Sequence, residues 1–267
     1  MKRRLFLGQT LSLAALGVAA NVSFAADNPK FKLHYAPHSG MFKAHAGDNI
    51  IDQINFASDQ GFTAWEENGM LDRRVEEQTK IGETLASRNM KMGVFVAYGS
   101  FDEPIFVRAD HPKRDEALAK MKASVEIAKR VNAKFMTVVP GSVDQQHEDD
   151  ARWTKYGGPR LREGIQFANC VEPLKRCAAI LEPHNLVMVL EPLNWEVNHG
   201  GAYLRSADQG YALCKAIDSP ACKVLYDVYH EQITAGNIIN TMDACWSEIA
   251  YLQMVTIPDG RNRALAK

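Results

Sequence analysis

Three positions in this 267-residue chain place an oxygen-bearing side chain directly after an apolar run. Leu186-Val187-Met188-Val189-Leu190 leads into Glu191-Pro192-Leu193-Asn194, and Val224-Leu225-Tyr226 leads into Asp227-Val228-Tyr229-His230. Ile249-Ala250-Tyr251-Leu252 likewise meets Gln253. A carboxylate at the end of a buried strand is costly unless a metal, a cation or hydrogen bonds meet it. Singly, each has an ordinary explanation: a structural ion pair for Glu191 or Asp227, backbone capping for Gln253. As a set on successive strand ends they would converge on one mouth, and such hard oxygen donors suit Mg²⁺ or Mn²⁺ better than Zn²⁺.

For that convergence the strands must lie side by side in parallel, and the rest of the chain supplies the pattern. Strand-like segments at 31–36, 62–66, 90–97, 134–139, 186–190, 223–226 and 249–255 alternate with helix-like segments at 48–60, 73–88, 112–131, 159–181, 206–217 and 237–246. That makes seven strands and six intervening helices. The run Val187–Leu190 has no polar alternation, as expected of a parallel strand covered on both faces. Such regularity predicts an α/β fold, either a closed TIM (β/α)8 barrel or an open doubly wound sheet. No glycine-rich phosphate-binding motif follows the first strand, and polar residues collect past the carboxyl ends of the strands, so the barrel is preferred. The stretch 141–158, rich in Asp, Gln and Glu, reads as an irregular surface or lid loop.

The ordered set Glu191-Pro192-Leu193-Asn194, Tyr226-Asp227-Val228-Tyr229-His230 and Tyr251-Leu252-Gln253 resembles the fifth, sixth and seventh strand ends of hydroxypyruvate isomerases. These belong to the xylose-isomerase-like TIM barrels of sugar isomerases and epimerases, and the likeness covers about residues 31–253. The resemblance implies that Glu191, Asp227 and Gln253 hold a divalent metal, that Glu191 also transfers a proton, and that His230 faces the substrate. It also implies an eighth strand bearing a second essential Glu, preceded by the loop Asp-Asn-Pro-Gly-Arg-x-Glu-Pro-Gly-Thr-Gly-Glu. In this sequence Val255 is followed instead by Thr256 to Lys267, with no eighth βα unit. Permitted synonymous codons, read one frame over from Val255, spell that loop, so a lost base near the Val255 codon is expected. On that reading Thr256 to Lys267 has no family role, the chain as written binds metal poorly and turns over little, and the intact gene product is active.

Isomerising an α-hydroxy carbonyl means removing a proton beside a carbonyl, stabilising the enediolate and returning the proton to the neighbouring carbon. A dication chelated by both substrate oxygens would hold the developing charge while a carboxylate on either side moves the proton. Glu191 is the candidate for one of the two. His34, Tyr35 and His38 could line the pocket or serve as hydrogen-bonded structural groups. Of Glu66 and Glu67, one could touch substrate while the other pairs with Arg73 or Arg74. Trp195 could wall the substrate or simply pack.

Composition narrows the partners. Lys and Arg total 31 against 32 Asp and Glu, a net charge of -1, so nothing in the totals favours nucleic acid. Residues 1–26 carry Lys2-Arg3-Arg4, an apolar stretch and small residues at Ser23 and Ala25, which reads as an export signal resembling the twin-arginine type. Residues 27–267 then form one barrel domain, periplasmic after cleavage and with no membrane span. The five cysteines lack CxxC spacing and read as buried apolar groups. An open barrel edge could also favour a homo-oligomer. The leading expectation is an aldose-ketose isomerase of a small hydroxy-carbonyl acid such as hydroxypyruvate. Beside it stand a sugar 3-epimerase or dehydratase on the same scaffold and an exported carbohydrate-binding protein without catalysis.

Overall fold

The computed structural model describes residues 31–144, 146–147, 150–154 and 159–254. The expected export signal and everything expected after Met254 lie outside them. In chain order the elements are α1 (Lys43–Ala46), α2 (Ile50–Asp59), β1 (Ala64–Trp65), α3 (Val75–Ser87), β2 (Lys91–Met92), β3 (Val96–Ser100), α4 (Arg114–Val131) and β4 (Phe135–Pro140). There follow β5 (Gln146–His147), β6 (Asp150–Thr154), α5 (Glu163–Leu181), β7 (Val187–Leu190), α6 (Ala207–Ile217), β8 (Cys222–Asp227), α7 (Val228–Thr234), α8 (Ile238–Cys245) and β9 (Ile249–Gln253). Among the described residues no helix is long and apolar enough to cross a membrane.

Strands β3, β4, β7, β8 and β9 form one parallel sheet in that order, and β1 pairs in parallel with β2. The break between β2 and β3 does not interrupt the wall. Gly93 N–H donates to Trp65 O and Glu67 N–H to Val94 O on one side, while Thr137 N–H donates to Phe95 O on the other. The result is a curved parallel α/β barrel wall running from residue 64 to residue 253.

Period-2 alternation sorts the strand residues between two cores. Val94, Val189 and Leu225 point inward and pack with Phe135, Val187 and Tyr251 as the barrel floor. Met136, Val138, Met188, Leu190 and Val224 point outward into the large core shared with the helices. Each fully buried Leu, Val or Met contributes about 1.5–3 kcal/mol of transfer free energy, so β4, β7 and β8 are held on both faces, while Leu252 on the outer face of β9 stays exposed. Helix exits use one repeated device. Asn89, Asn132, Asn185 and Asp218 take left-handed φ of 52°, 52°, 54° and 55° just before β2, β4, β7 and β8. The short polar side chains tolerate that conformation and turn the chain back to the wall.

Two expectations are corrected. Residues 31–36 form no strand; the first segment contributes a single parallel bridge, His38 to Glu66, with Glu66 N–H donating to Pro37 O. Phe31, Leu33 and Tyr35 stay exposed, so burial does not hold that segment in a ladder. The expected irregular loop 141–158 contains the antiparallel pair β5 and β6. Its entrance is pinned by Asp144, wholly buried, which accepts from the Leu161 N–H at 2.7 Å and faces the Arg108 guanidinium at 3.4 Å.

Candidate metal and active site

Alternation that sends Val189, Leu225 and Tyr251 into the floor sends Glu191, Asp227 and Gln253 to the layer above them, at the carboxyl ends of β7, β8 and β9. Asp227 and Gln253 are register partners across the β8–β9 ladder. Glu66, two residues beyond Ala64 in β1, joins the layer from the other side of the barrel: its Oε1 accepts from Tyr251 Oη at 2.6 Å and its Oε2 from Gln253 Nε2 at 3.2 Å.

Asp227 also begins α7, which the sequence reading did not separate from the strand. Its Oδ1 accepts the Tyr229 N–H at 2.8 Å as the helix cap, and its Oδ2 faces His230 Nε2 at 3.7 Å. Glu191 Oε1 lies 3.8 Å from the same nitrogen. One ligand atom from each of Glu191, Asp227 and His230 falls within a 4.8 Å span, a possible metal site.

The chemistry of the layer is set mainly by burial, with His38 the one opposing charge felt by Glu66. The Glu191 carboxyl is pushed up to about 8, first by burial and then by repulsion from Asp227 and Glu66. Burial also raises Asp227, opposed by N–H bonds from Tyr229 and His230, and raises Glu66 against its hydrogen bonds from Tyr251 and Gln253. Among the described residues no Lys or Arg pairs with any of the three. Such a group of carboxylates takes up protons or a cation, and its all-oxygen donor set fits a hard dication.

His230 is held as a neutral donor. Burial and the neighbouring His199 ring pull its titration down to about 4. Its Nδ1 receives the Asn194 backbone N–H at 3.2 Å and the Asn194 Nδ2 at 2.6 Å. Asn194 can present only Nδ2 there, because its Oδ1 accepts from Val197 N and Asn198 N. The proton of the neutral ring therefore sits on Nε2, an assignment made from this hydrogen-bond network. Nε2–H points toward the carboxylates, which suits donation to a substrate oxygen better than metal ligation.

The structure thus brings together Glu191, Asp227, His230, Gln253 and Glu66. It does not bring His34 to them: that side chain is exposed and bonds Thr63 Oγ1 at 2.8 Å, at the amino end of β1. Trp195 donates its indole N–H to Ala202 O at 2.7 Å, packs with Val139 and Leu193, and lies under the Arg205 guanidinium at 4.1 Å. Glu67 takes the ion pair with Arg73 at 3.2 Å, leaving Glu66 for the interior. Sequence reasoning missed the parts played by Asn194, Tyr251 and Gly93. The signal for Gly93 was a glycine inside an otherwise apolar strand segment, which marks close approach of other groups.

The fold is a parallel α/β barrel with a group of carboxylates and one aimed imidazole at its strand ends, an arrangement that could hold a metal ion. The chain belongs to the family described as xylose isomerase-like TIM barrel, whose model matches residues 54–266. It is 30% identical over 91 residues to the hydroxypyruvate isomerase of Escherichia coli strain K12, covering 34% of this chain and 35% of that protein. Among solved structures it resembles an AP endonuclease, family 2, from Brucella melitensis at a TM-score of 0.67 and 18% identity, covering 84% of this chain and 80% of that one. It also resembles the IOLI protein with a binding zinc atom, at a TM-score of 0.62 and 15% identity over 85% and 76% of the two chains. The chain spans about a third to a half of the length of three curated relatives, putative hydroxypyruvate isomerases of Danio rerio, Mus musculus and Homo sapiens.

Proposed function

We propose that the protein is a divalent-metal-dependent isomerase that interconverts hydroxypyruvate and tartronate semialdehyde through an enediolate. The observation that carries this reading is the group Glu66, Glu191 and Asp227, three largely buried carboxyls raised in proton affinity with no Lys or Arg paired to them among the described residues. Glu191, Asp227 and Gln253 would hold the ion, with Mg²⁺ or Mn²⁺ suiting the oxygen donors. When bound, the ion supplies charge stabilisation to the two adjacent substrate oxygens.

The remaining work falls to side chains. Glu191, ionised when it holds the ion, takes the proton from the carbon beside the carbonyl. His230 donates Nε2–H to a substrate oxygen and stays neutral while doing so, because burial disfavours its cation. The floor of Val94, Val189 and Leu225 keeps water from beneath the reacting carbons. The named substrate pair rests on the hydroxypyruvate isomerase relatives and on the motif set, and export on Arg3-Arg4 with the apolar stretch behind it.

The test is a turnover assay with Mn²⁺ on hydroxypyruvate, ketohexoses and dehydroshikimate, run on the chain as printed and on a version with the reading frame restored after Val255. Turnover of hydroxypyruvate, lost in Glu191→Gln, supports the proposal. Turnover confined to a ketohexose or to dehydroshikimate replaces it with the epimerase or dehydratase reading, and sugar binding without turnover in both versions replaces it with a binding protein.

A further inference from the structure

Gln253 reaches the metal layer with an amide, and an amide has two unlike ends. Only the oxygen can ligate a cation, and a free side chain would expose either end. The surroundings of Gln253 remove the choice. Its Nε2 lies 3.2 Å from Glu66 Oε2, and a carboxylate accepts hydrogen bonds without donating them, so the nitrogen must face Glu66. No donor among the described residues bonds Gln253 Oε1, which is therefore left for the Asp227 side of the layer. Glu66 is itself immobilised from below by Tyr251 Oη at 2.6 Å. The space this takes is visible at Gly93, where a Cβ would stand 2.5 Å from Tyr251 Oη and 2.9 Å from Glu66 Cγ.

We propose that Glu66 is a positioning residue: with Tyr251 behind it and Gly93 making room, it locks the Gln253 amide with nitrogen inward and oxygen toward the metal. This rests on the metal site proposed above, and it moves Glu66 from a substrate contact to a residue acting through Gln253. The arrangement makes a sharp reversal possible. In Glu66→Gln the new amide still accepts from Tyr251 and turns its own NH2 toward Gln253, which must then present oxygen to residue 66 and nitrogen to the metal. Exchanging the two groups, as Glu66→Gln with Gln253→Glu, restores a donor–acceptor pair with its direction reversed, the amide at 66 donating to the carboxylate at 253, and leaves a carboxylate oxygen for the ion.

The experiment uses the full chain with its reading frame restored after Val255, and two readouts. In the metal-free protein, ¹⁵N–¹H spectra of the Gln253 side-chain amide, assigned by its loss in Gln253→Glu, are compared between wild type and Glu66→Gln. In parallel, Mn²⁺ dissociation constants are measured from the free-ion electron paramagnetic resonance signal for wild type, both single variants and the exchange. The expected result is one strongly shifted amide proton in wild type that moves back in Glu66→Gln. Mn²⁺ affinity should weaken at least tenfold in Glu66→Gln and return to within about threefold of wild type in the exchange, the coupling a double-mutant cycle isolates. An amide spectrum unchanged by Glu66→Gln overturns the positioning role whether or not metal binds. Loss of affinity that the exchange does not restore also overturns it, since a merely structural or directly ligating Glu66 would behave that way. Wild type that shows the amide shift but binds no Mn²⁺ overturns the metal reading instead, and with it the purpose assigned to the lock.

Discussion

Metal binding by this site should be steeply linked to pH, because Glu191 must give up a proton first. Its carboxyl, 17% exposed, is held near 8 by burial and by Asp227 and Glu66. The deprotonated fraction is then about one in a hundred at pH 6 and about one half at pH 8, so Mn²⁺ affinity should rise about fiftyfold, or about 2 kcal/mol, between those values. Calorimetric titration in two buffers of different ionisation enthalpy should count close to one proton released per ion at pH 6 and about three quarters of a proton at pH 7.5. The second figure separates Glu191 from a conventional histidine ligand, which at an ordinary value near 6.5 would release only about a tenth of a proton at pH 7.5. His230 adds nothing in this range because it is already neutral. Glu191→Gln should flatten the slope as well as weaken binding. Affinity that changes less than about threefold from pH 6 to 8, with little proton release, would refute both the burial of this carboxyl and its place at the ion.

The same shift carries a stability consequence for the metal-free protein. A carboxyl raised in the folded state keeps its proton between about pH 4.5 and 8 while the unfolded chain has lost it, so stability falls as pH climbs through that window. Glu191→Gln removes that cost and should stabilise the metal-free protein on the order of 3–5 kcal/mol at pH 9 but hardly at pH 4.5, read by denaturant unfolding. Arg108→Met should cost about 3–5 kcal/mol in the same assay, because Asp144, fully buried, loses its cation. A smaller loss would mean that the Leu161 N–H bond alone satisfies that carboxylate. Arg3→Lys with Arg4→Lys should leave the protein in the cytoplasmic fraction with its leader uncleaved, and unchanged processing would remove the twin-arginine reading.

Much of this was legible along the chain. Continuous apolar runs ending in Glu191, Asp227 and Gln253 marked parallel strands and the rim where they meet, because a strand buried on both faces has no polar alternation and its first polar residue marks where the wall stops. Helix positions followed from the 3.6-residue period, with ends moving by a residue or two except at α5, which begins at Glu163 and not at 159. Local pattern could not reveal that 31–36 remains unpaired, since a hexapeptide alternating apolar with polar residues becomes a strand only if a neighbour covers it. Nor could it find the ribbon of β5 and β6, whose polar residues carry no periodic burial signal.

What tertiary structure alone decided is the direction of each polar group. Glu66 and Glu67 are adjacent and identical in type, yet one turns inward to Tyr251 and Gln253 and the other outward to Arg73. His34 and His230 are both plausible pocket histidines, but only His230 has a partner, Asn194, that fixes its tautomer and aims Nε2 at the carboxylates. Residue types supply donors and acceptors, and the sequence lists them in full. Which of them meet depends on contacts between positions as far apart as 66 and 253, and only the curvature of the wall brings those two within hydrogen-bond distance.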